Sequence, residues 1–433
     1  SLVGWELMTP ILRGDAPAVG VDHAVLMSSD RVSLFGDVGV NDEGEIGALV
    51  ELWSRPIEQT PPTLLRCDPD TVFLAWQHRR GVRIECIDAI TGSTRWRSEP
   101  FQELFETNPK FEQRLTSQQS HFRTPSNRDV HISETLIASD SGAIAILERS
   151  GRIASIDEDT GRVLWAAHTP VTQLFEADAA HGVLLIGGDF AEGRVGDERR
   201  ERSFYAYEIR TGRELASSKR LPDQADWVRV IDPTRALVHT GHGVHAFDLE
   251  TGREAWTVNY EHTRSAPAGW VFGDDLYLID SSRALWHVSL EDGEMSSTPL
   301  TTSNQLTSSR QIDLVRLGDR VGVLSSSGVL LLEGDRLVGA DGLDPPGGVL
   351  PPIPTRDRII ALEMARRQND DLSPMHMLHV LDVDTVRLVR TNVLTSFWDN
   401  PRTAGVINAH LIVSSGPMTF VFDLPPEGPA RGD

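Results

Sequence analysis

The chain has 433 residues, 39% hydrophobic and 24% charged, with 63 acidic against 41 basic side chains and a formal net charge of −22. That acidity argues against nucleic acid as a partner, because phosphate binding draws on clustered Lys and Arg, and against anionic membrane surfaces. No run of about 18 apolar residues marks a transmembrane helix, so no membrane insertion by this segment is expected.

The chain opens on SLVGWELMTP, read as a strand carrying Trp5. It has neither a starter Met nor a signal-peptide pattern, as expected of a processed form or of a domain from a longer protein. An apolar run from Ala24 and a turn near Gly44 lead to a strand with Trp53. Four segments then share one pattern: ECIDAITGSTRW (Glu85 to Trp96), ASIDEDTGRVLW (Ala154 to Trp165), YAYEIRTGRELA (Tyr205 to Ala216) and HAFDLETGREAW (His245 to Trp256). Each reads as an alternating strand, an acidic residue, Thr-Gly and a second strand. Gly92, Gly161, Gly212 and Gly252 supply the positive φ that hairpin turns need. Asp88, Asp157 and Asp248 can accept hydrogen bonds from the turn backbone. The unit is too small to bury its own face.

Weaker copies follow, with turns near Gly293, Gly334, Val386 and Gly428. A period of roughly 40 to 50 residues with strands throughout predicts an all-β fold, a single β-propeller of four-stranded blades over residues 1–433. Nine turns are each preceded by an apolar run, taken as an inner strand; eight blades is the alternative. The last unit lacks a fourth strand, and the N-terminal strand is expected to complete it and close the ring. Two places depart from the repeat. Residues 101–129 form an insertion between blades, in which Phe101, Leu104, Phe105 and Phe111 suit a short amphipathic helix and are candidate partner contacts. Leu343 to Arg356, rich in Pro and Gly, reads as an extended loop.

The repeats resemble those of the quinoprotein alcohol dehydrogenase-like propeller superfamily, which are built on pyrroloquinoline-quinone-like repeats. SIDEDTGRVLW (Ser155 to Trp165) matches its signature almost residue for residue. The resemblance implies that Trp96, Trp165 and Trp256, and more loosely Trp5 and Trp53, dock between neighbouring blades. It also raises a quinone-dependent dehydrogenase. Those enzymes use adjacent cysteines, a stacking Trp and Ca²⁺ held by Glu, Asn and Asp. Here the only cysteines, Cys67 and Cys86, are separated in sequence, no segment matches the catalytic Asp motif, and no cofactor is expected.

Other chemistry is sparse. Cys67 and Cys86 are read on the first and third strands of one blade, ~9.5 Å apart, beyond the ~7 Å reach of a disulfide. His239, His242 and His245 lie across one hairpin, which would bring His239 and His245 near each other as candidate metal ligands. Asp157, Glu158, Asp159, Asp274 and Asp275 offer oxygen ligands but no calcium-loop pattern. Ile186 to Gly196 is glycine-rich and reads as a loop, and the terminal Arg431-Gly432-Asp433 is a three-residue match on a chain end.

Function is therefore expected where the repeat fails. The leading expectation is a monomeric, non-catalytic interaction scaffold, sensor or assembly module, similar to non-enzymatic propellers of the bacterial cell envelope. By that resemblance it would be periplasmic or at the cell surface, with protein partners. The alternatives are a quinone-dependent dehydrogenase-like enzyme and a binder of carbohydrate or another small ligand in the axial channel, where Trp227, Trp270 or Trp398 would stack.

Overall fold

The computed structural model describes residues 2–3, 6–7, 23–37, 49–57, 61–78, 80–106, 135–148, 151–169, 171–191, 200–218, 221, 225–259, 268–279, 284–299, 312–317, 320–325, 328–333, 336–339, 353–354, 358–365, 375–382, 388–394, 403–407, 410–415 and 418–424. Among them the only helix is α1 (Phe101–Glu106), and none is long and apolar enough to cross a membrane. The described strands form nine four-stranded antiparallel sheets.

Eight sheets take four strands in simple chain order. Sheet 1 holds Glu6–Leu7, His23–Met27, Arg31–Asp37 and Leu49–Pro56; sheet 2 holds Thr63–Cys67, Thr71–His78, Gly81–Asp88 and Thr94–Arg97. Sheet 3 holds Thr135–Asp140, Ala143–Glu148, Arg152–Asp157 and Val163–His168; sheet 4 holds Val171–Ala180, Val183–Ala191, Arg200–Glu208 and Glu214–Ser218. Sheet 5 holds Ala225–Asp232, Arg235–Thr240, Gly243–Asp248 and Glu254–Asn259; sheet 6 holds Ala268–Phe272, Asp275–Ile279, Ala284–Ser289 and Met295–Pro299. Sheet 7 holds Ile312–Leu317, Arg320–Ser325, Gly328–Glu333 and Arg336–Gly339; sheet 8 holds Ile353–Pro354, Arg358–Ala365, Met375–Asp382 and Leu388–Leu394. Sheet 9 holds Thr403–Ile407, His410–Ser415, Met418–Asp423 and, fourth, Leu2–Val3.

The N-terminal segment is thus shared between two sheets. Leu2 and Val3 pair with Thr419 and Met418, whereas Glu6 and Leu7 pair with Met27 and Leu26 to open sheet 1. The apolar runs expected as inner strands from Ala24 to Ala409 occupy the second place in each sheet, paired on both sides. Of the remaining expectations, Ile186 to Ala191 continues a strand that pairs with Arg200–Tyr205. Within Leu343 to Arg356, Ile353–Pro354 opens sheet 8.

Burial on both faces explains why the middle strands read as almost continuous apolar runs. In sheet 3, Ile144, Ile146, Ala154 and Ile156 bury against sheet 2, while Ala143, Ala145, Leu147 and Ile153 bury against sheet 4. Each Ile or Leu removed from water in this way contributes about 2 kcal/mol. Equivalent clusters join sheets 1 and 2, 4 and 5, 5 and 6, 6 and 7, and 8 and 9. Ala24, Leu26 and Phe35 of sheet 1 bury against Ile412 of sheet 9, and Glu6–Leu7 lies against three strands of sheet 9. First strands of successive sheets also touch, as Thr135–Asp140 does with Val171–Ala180, and that strand with Ala225–Asp232.

Candidate functional site

Antiparallel order gives each sheet two chemically different ends. One end carries the connections from first to second and from third to fourth strand. The acidic Thr-Gly turns lie here, and in sheets 2 to 6 every such connection is short. The opposite end carries the second-to-third connections and the crossings between sheets. The longest interruption between strands, 98–134, lies there, with 192–199, 260–267, 300–311, 340–352, 366–374 and 395–402, whereas 8–22 and 38–48 of sheet 1 fall at the turn end.

The turn end is built as a docking device. Asp88 Oδ1 accepts the backbone N–H of Ile90 at 3.1 Å and of Thr91 at 2.8 Å, together with the Thr91 hydroxyl at 3.0 Å. Gly92 N–H closes the loop on Asp88 O at 2.9 Å. Asp248 repeats this with Glu250, Thr251 and Gly252, and Asp157 with Thr160 and Gly161. These bonds favour the charged carboxylate. The Thr91 backbone N–H and the Arg95 guanidinium hold the Asp88 carboxyl down at about 2, and Asp157, Glu208 and Asp248 are lowered for related reasons. Gly212 N–H closes on Glu208 O in the same way.

Each of these turns except that at Gly252 receives a tryptophan from the preceding sheet. Trp53 Nε1–H donates to Ala89 O at 2.9 Å, Trp96 to Glu158 O at 2.8 Å, Trp165 to Ile209 O at 2.7 Å, and Trp256 to Leu290 O at 3.4 Å. The indole faces lie over Gly92, Gly161, Gly212 and Gly293 respectively. At Gly252 the place is empty of indole because sheet 4 carries Ala216 there, and the neighbour is Ser217 O. Trp5 lies outside the described residues, as do the turns expected at Gly44, Gly334, Val386 and Gly428.

A feature not read from the sequence aims these side chains. In six sheets the third-to-fourth strand register shifts by one residue just before the docking position: Leu34 pairs with Trp53 but Phe35 with Glu51, and Cys86 with Trp96 but Ile87 with Thr94. The same shift occurs at Trp165, Ala216, Trp256 and Arg390. A bulge of this kind rotates the following side chain out of strict alternation. It also explains two exposed apolar residues, Leu52 and Val389, which are the extra residues of their bulges. The extra residue is Leu52, Arg95, Leu164, Leu215, Ala255 or Val389, with no common residue type to mark the bulge in the sequence.

The proposed contacts of the insertion divide differently. Phe101 is 1% exposed and belongs to the core between sheets 2 and 3, where the Arg152 guanidinium lies over its ring at 6.0 Å. It anchors α1 and cannot present itself to a partner, which corrects the expectation from sequence. An aromatic at the first helical position packs inward because the strand before it ends at the sheet interface. Arg80 pairs with Glu103 at 2.8 Å, fixing α1 to the hairpin of sheet 2. Leu104 and Phe105 are helical in backbone, and Phe111 with the rest of 107–129 lies outside the described residues.

The remaining candidates resolve as structure. His239 and His245 point to opposite faces, since His239 pairs with Val244 and His245 with Val238. His239 stacks on Trp227 at 5.0 Å with its Nδ1 3.1 Å from Asp226, while His245 contacts Thr240, Glu254 and Thr257. They do not converge on one ion, and no group of three or more potential metal-binding side chains occurs among the described residues. Asp157 is engaged by Thr160 and by Arg210 at 3.0 Å, and Asp275 by His287 at 2.6 Å. Cys67 and Cys86 are free, on strands either side of Thr71–His78, and burial pushes their thiols up to about 12 and about 11. Neither is poised as a nucleophile. Trp227 is 6% exposed and Trp270 packs against the core between sheets 6 and 7, so neither offers a free stacking face; Trp398 is outside the described residues.

Residues 80–269 match the family described as outer membrane protein assembly factor BamB. Among solved structures, the computationally designed Ika8 protein is similar at a TM-score of 0.51 and 12% identity, over 83% of this chain and 95% of that one. BamB from Moraxella catarrhalis gives a TM-score of 0.44 and 14% identity over 97% and 98%. The C-terminal WD40 domain of Sif2 gives 0.48 and 10% over 83% and 93%. No curated protein matches the chain. The resemblance to quinoprotein-like repeats thus extends to the assembly-factor family over the segment that carries the clearest turns.

Proposed function

We propose that this chain is a non-catalytic protein-interaction scaffold with an assembly role, working outside the bacterial cytoplasm as a monomeric ring of nine blades closed by Leu2–Val3. The observation that carries this reading is the match of residues 80–269 to a family of outer-membrane assembly factors. The arrangement of the sheets supports it. In sheets 2 to 6 the turn end is committed to blade docking, whereas the opposite end carries the longest connection, residues 98–134, and a rigid scaffold offers variable contact surface in such segments. The contact region is then the stretch 107–129 rather than 101–129, since Phe101 is core. The acidic surface favours partners with basic patches and suppresses non-specific anion binding.

A quinone-dependent enzyme is the reading this one displaces. The residues do not suit that cofactor: Cys67 and Cys86 are separated by an intervening strand, and the tested Trp side chains are engaged in packing. A spectral titration with pyrroloquinoline quinone and Ca²⁺, followed by dye-linked alcohol oxidation, separates the two. The scaffold reading expects no saturable change and no turnover; saturable binding with oxidation overturns it.

A further inference from the structure

We propose that the interface between sheets 1 and 2 contains a structural water-binding site formed by Trp76 Nε1, Arg83 Nε and Glu85 Oε2. All three atoms are buried and have no hydrogen-bond partner in the protein. They share one face of sheet 2. Trp76 pairs directly with Arg83, and Glu85 lies two residues further along the same strand, opposite Leu74. That face is turned to sheet 1: Leu74 and Trp76 pack in the cluster that contains Val32 and Leu34, and Glu85 Oε1 accepts Arg55 of sheet 1 at 2.8 Å.

Glu85 is wholly buried and only half satisfied. Its Oε1 accepts Thr94 at 2.7 Å and Arg97 and Arg55 at 2.8 Å each, while Oε2 accepts nothing. Leaving a buried polar atom unpaired weakens folding about ten- to hundredfold, more for a charged group, so three on one face call for a common partner. The two N–H groups need an acceptor and the carboxylate oxygen needs a donor. An anion would meet the Glu85 charge, and a cation would meet Arg83. A neutral molecule that both accepts and donates satisfies all three. Water fits, accepting from Trp76 and Arg83 and donating to Oε2, which is the usual number of partners for a buried water. Residues two apart on one strand are separated by roughly 6.6 Å at the backbone, and one oxygen spans at most about 5.8 Å through two hydrogen bonds of about 2.9 Å, so Arg83 and Glu85 share the water by converging at their side-chain ends.

The test is a crystal structure of the unaltered chain at a resolution that shows ordered water, with chemical unfolding of Trp76→Phe, Arg83→Lys and the double variant. One density peak within about 3.2 Å of all three atoms is expected. Each single change should lower the folding constant about tenfold, and the double change well under a hundredfold, because both remove partners of the same water. An anion at the position, direct protein partners for the three atoms, or no peak would overturn the site. So would single effects that multiply. The crystallographic result stands even if a variant fails to fold.

Discussion

The indole of Trp96 lies so close over Gly161 that a Cβ added there would sit 2.4 Å from Trp96 Cε3. Gly161 also has φ of 68°, a conformation that L side chains avoid. Two independent demands therefore fall on one residue. Gly273 isolates the first of them, with φ of 64° and nothing within 4 Å of an added Cβ. Gly273→Ala should cost about 1 kcal/mol for the backbone alone. Gly161→Ala should cost at least about 3 kcal/mol, because the indole must leave its place and release Glu158 O. Denaturant unfolding compares them, and equal losses would show that the Trp contact adds nothing.

The turn carboxylates predict the acid limb of stability. Asp88 is lowered from 3.8 to about 2, first by the Thr91 backbone N–H and then by Arg95. A carboxyl depressed in the folded state contributes stability that is complete above its unfolded value and is lost as pH falls through the folded one. The contribution of Asp88 should therefore be present above about pH 4 and vanish on acidification towards 2. Asp157, Glu208 and Asp248 act in the same direction. Side-chain carboxyl NMR reads it directly: Asp88 should titrate with a midpoint near 2. An ordinary midpoint near 3.8 would contradict the hydrogen-bonded turn.

The proposed ring closure rests on a two-residue strand pair. Leu2 and Val3 meet Thr419 and Met418 across a two-residue ladder, while Glu6–Leu7 opens the neighbouring sheet. Removing residues 1–7 should lower the melting temperature and raise amide exchange in both Met418–Asp423 and His23–Met27, the two strands left with new edges. Unchanged melting would mean that the first residues do not close a ring.

The repeat made most of the architecture legible, because Asp, Thr-Gly and Trp each answer a separate physical need at a fixed spacing. ASIDEDTGRVLW shows all of them, and sheet 3 follows it strand for strand. The bulge before Trp165 was not legible, since Leu164 could equally alternate in a regular strand. The burial of Phe101 is hidden for a related reason: an amphipathic hexapeptide shows that one face is apolar, not which surface receives it. The orphaned atoms of Trp76, Arg83 and Glu85 depend on which side chains share a face between two sheets, a relation set by register across the whole stack. Glu85 in particular reads as an ordinary polar strand position until Arg55, 30 residues earlier, is placed against it.

The claim that binding belongs to the end carrying the longest connection is tested most directly by affinity capture from a cell-envelope extract with three forms of the chain. One is unaltered, one has residues 107–129 replaced by a short Gly-Ser linker, and one carries Ile90→Ser in the exposed turn of sheet 2. All three must first show the same melting curve. The account predicts that a protein retained by the unaltered chain is also retained by Ile90→Ser and is lost at least tenfold from the linker form. Equal recovery by the linker form, or selective loss with Ile90→Ser, would contradict it.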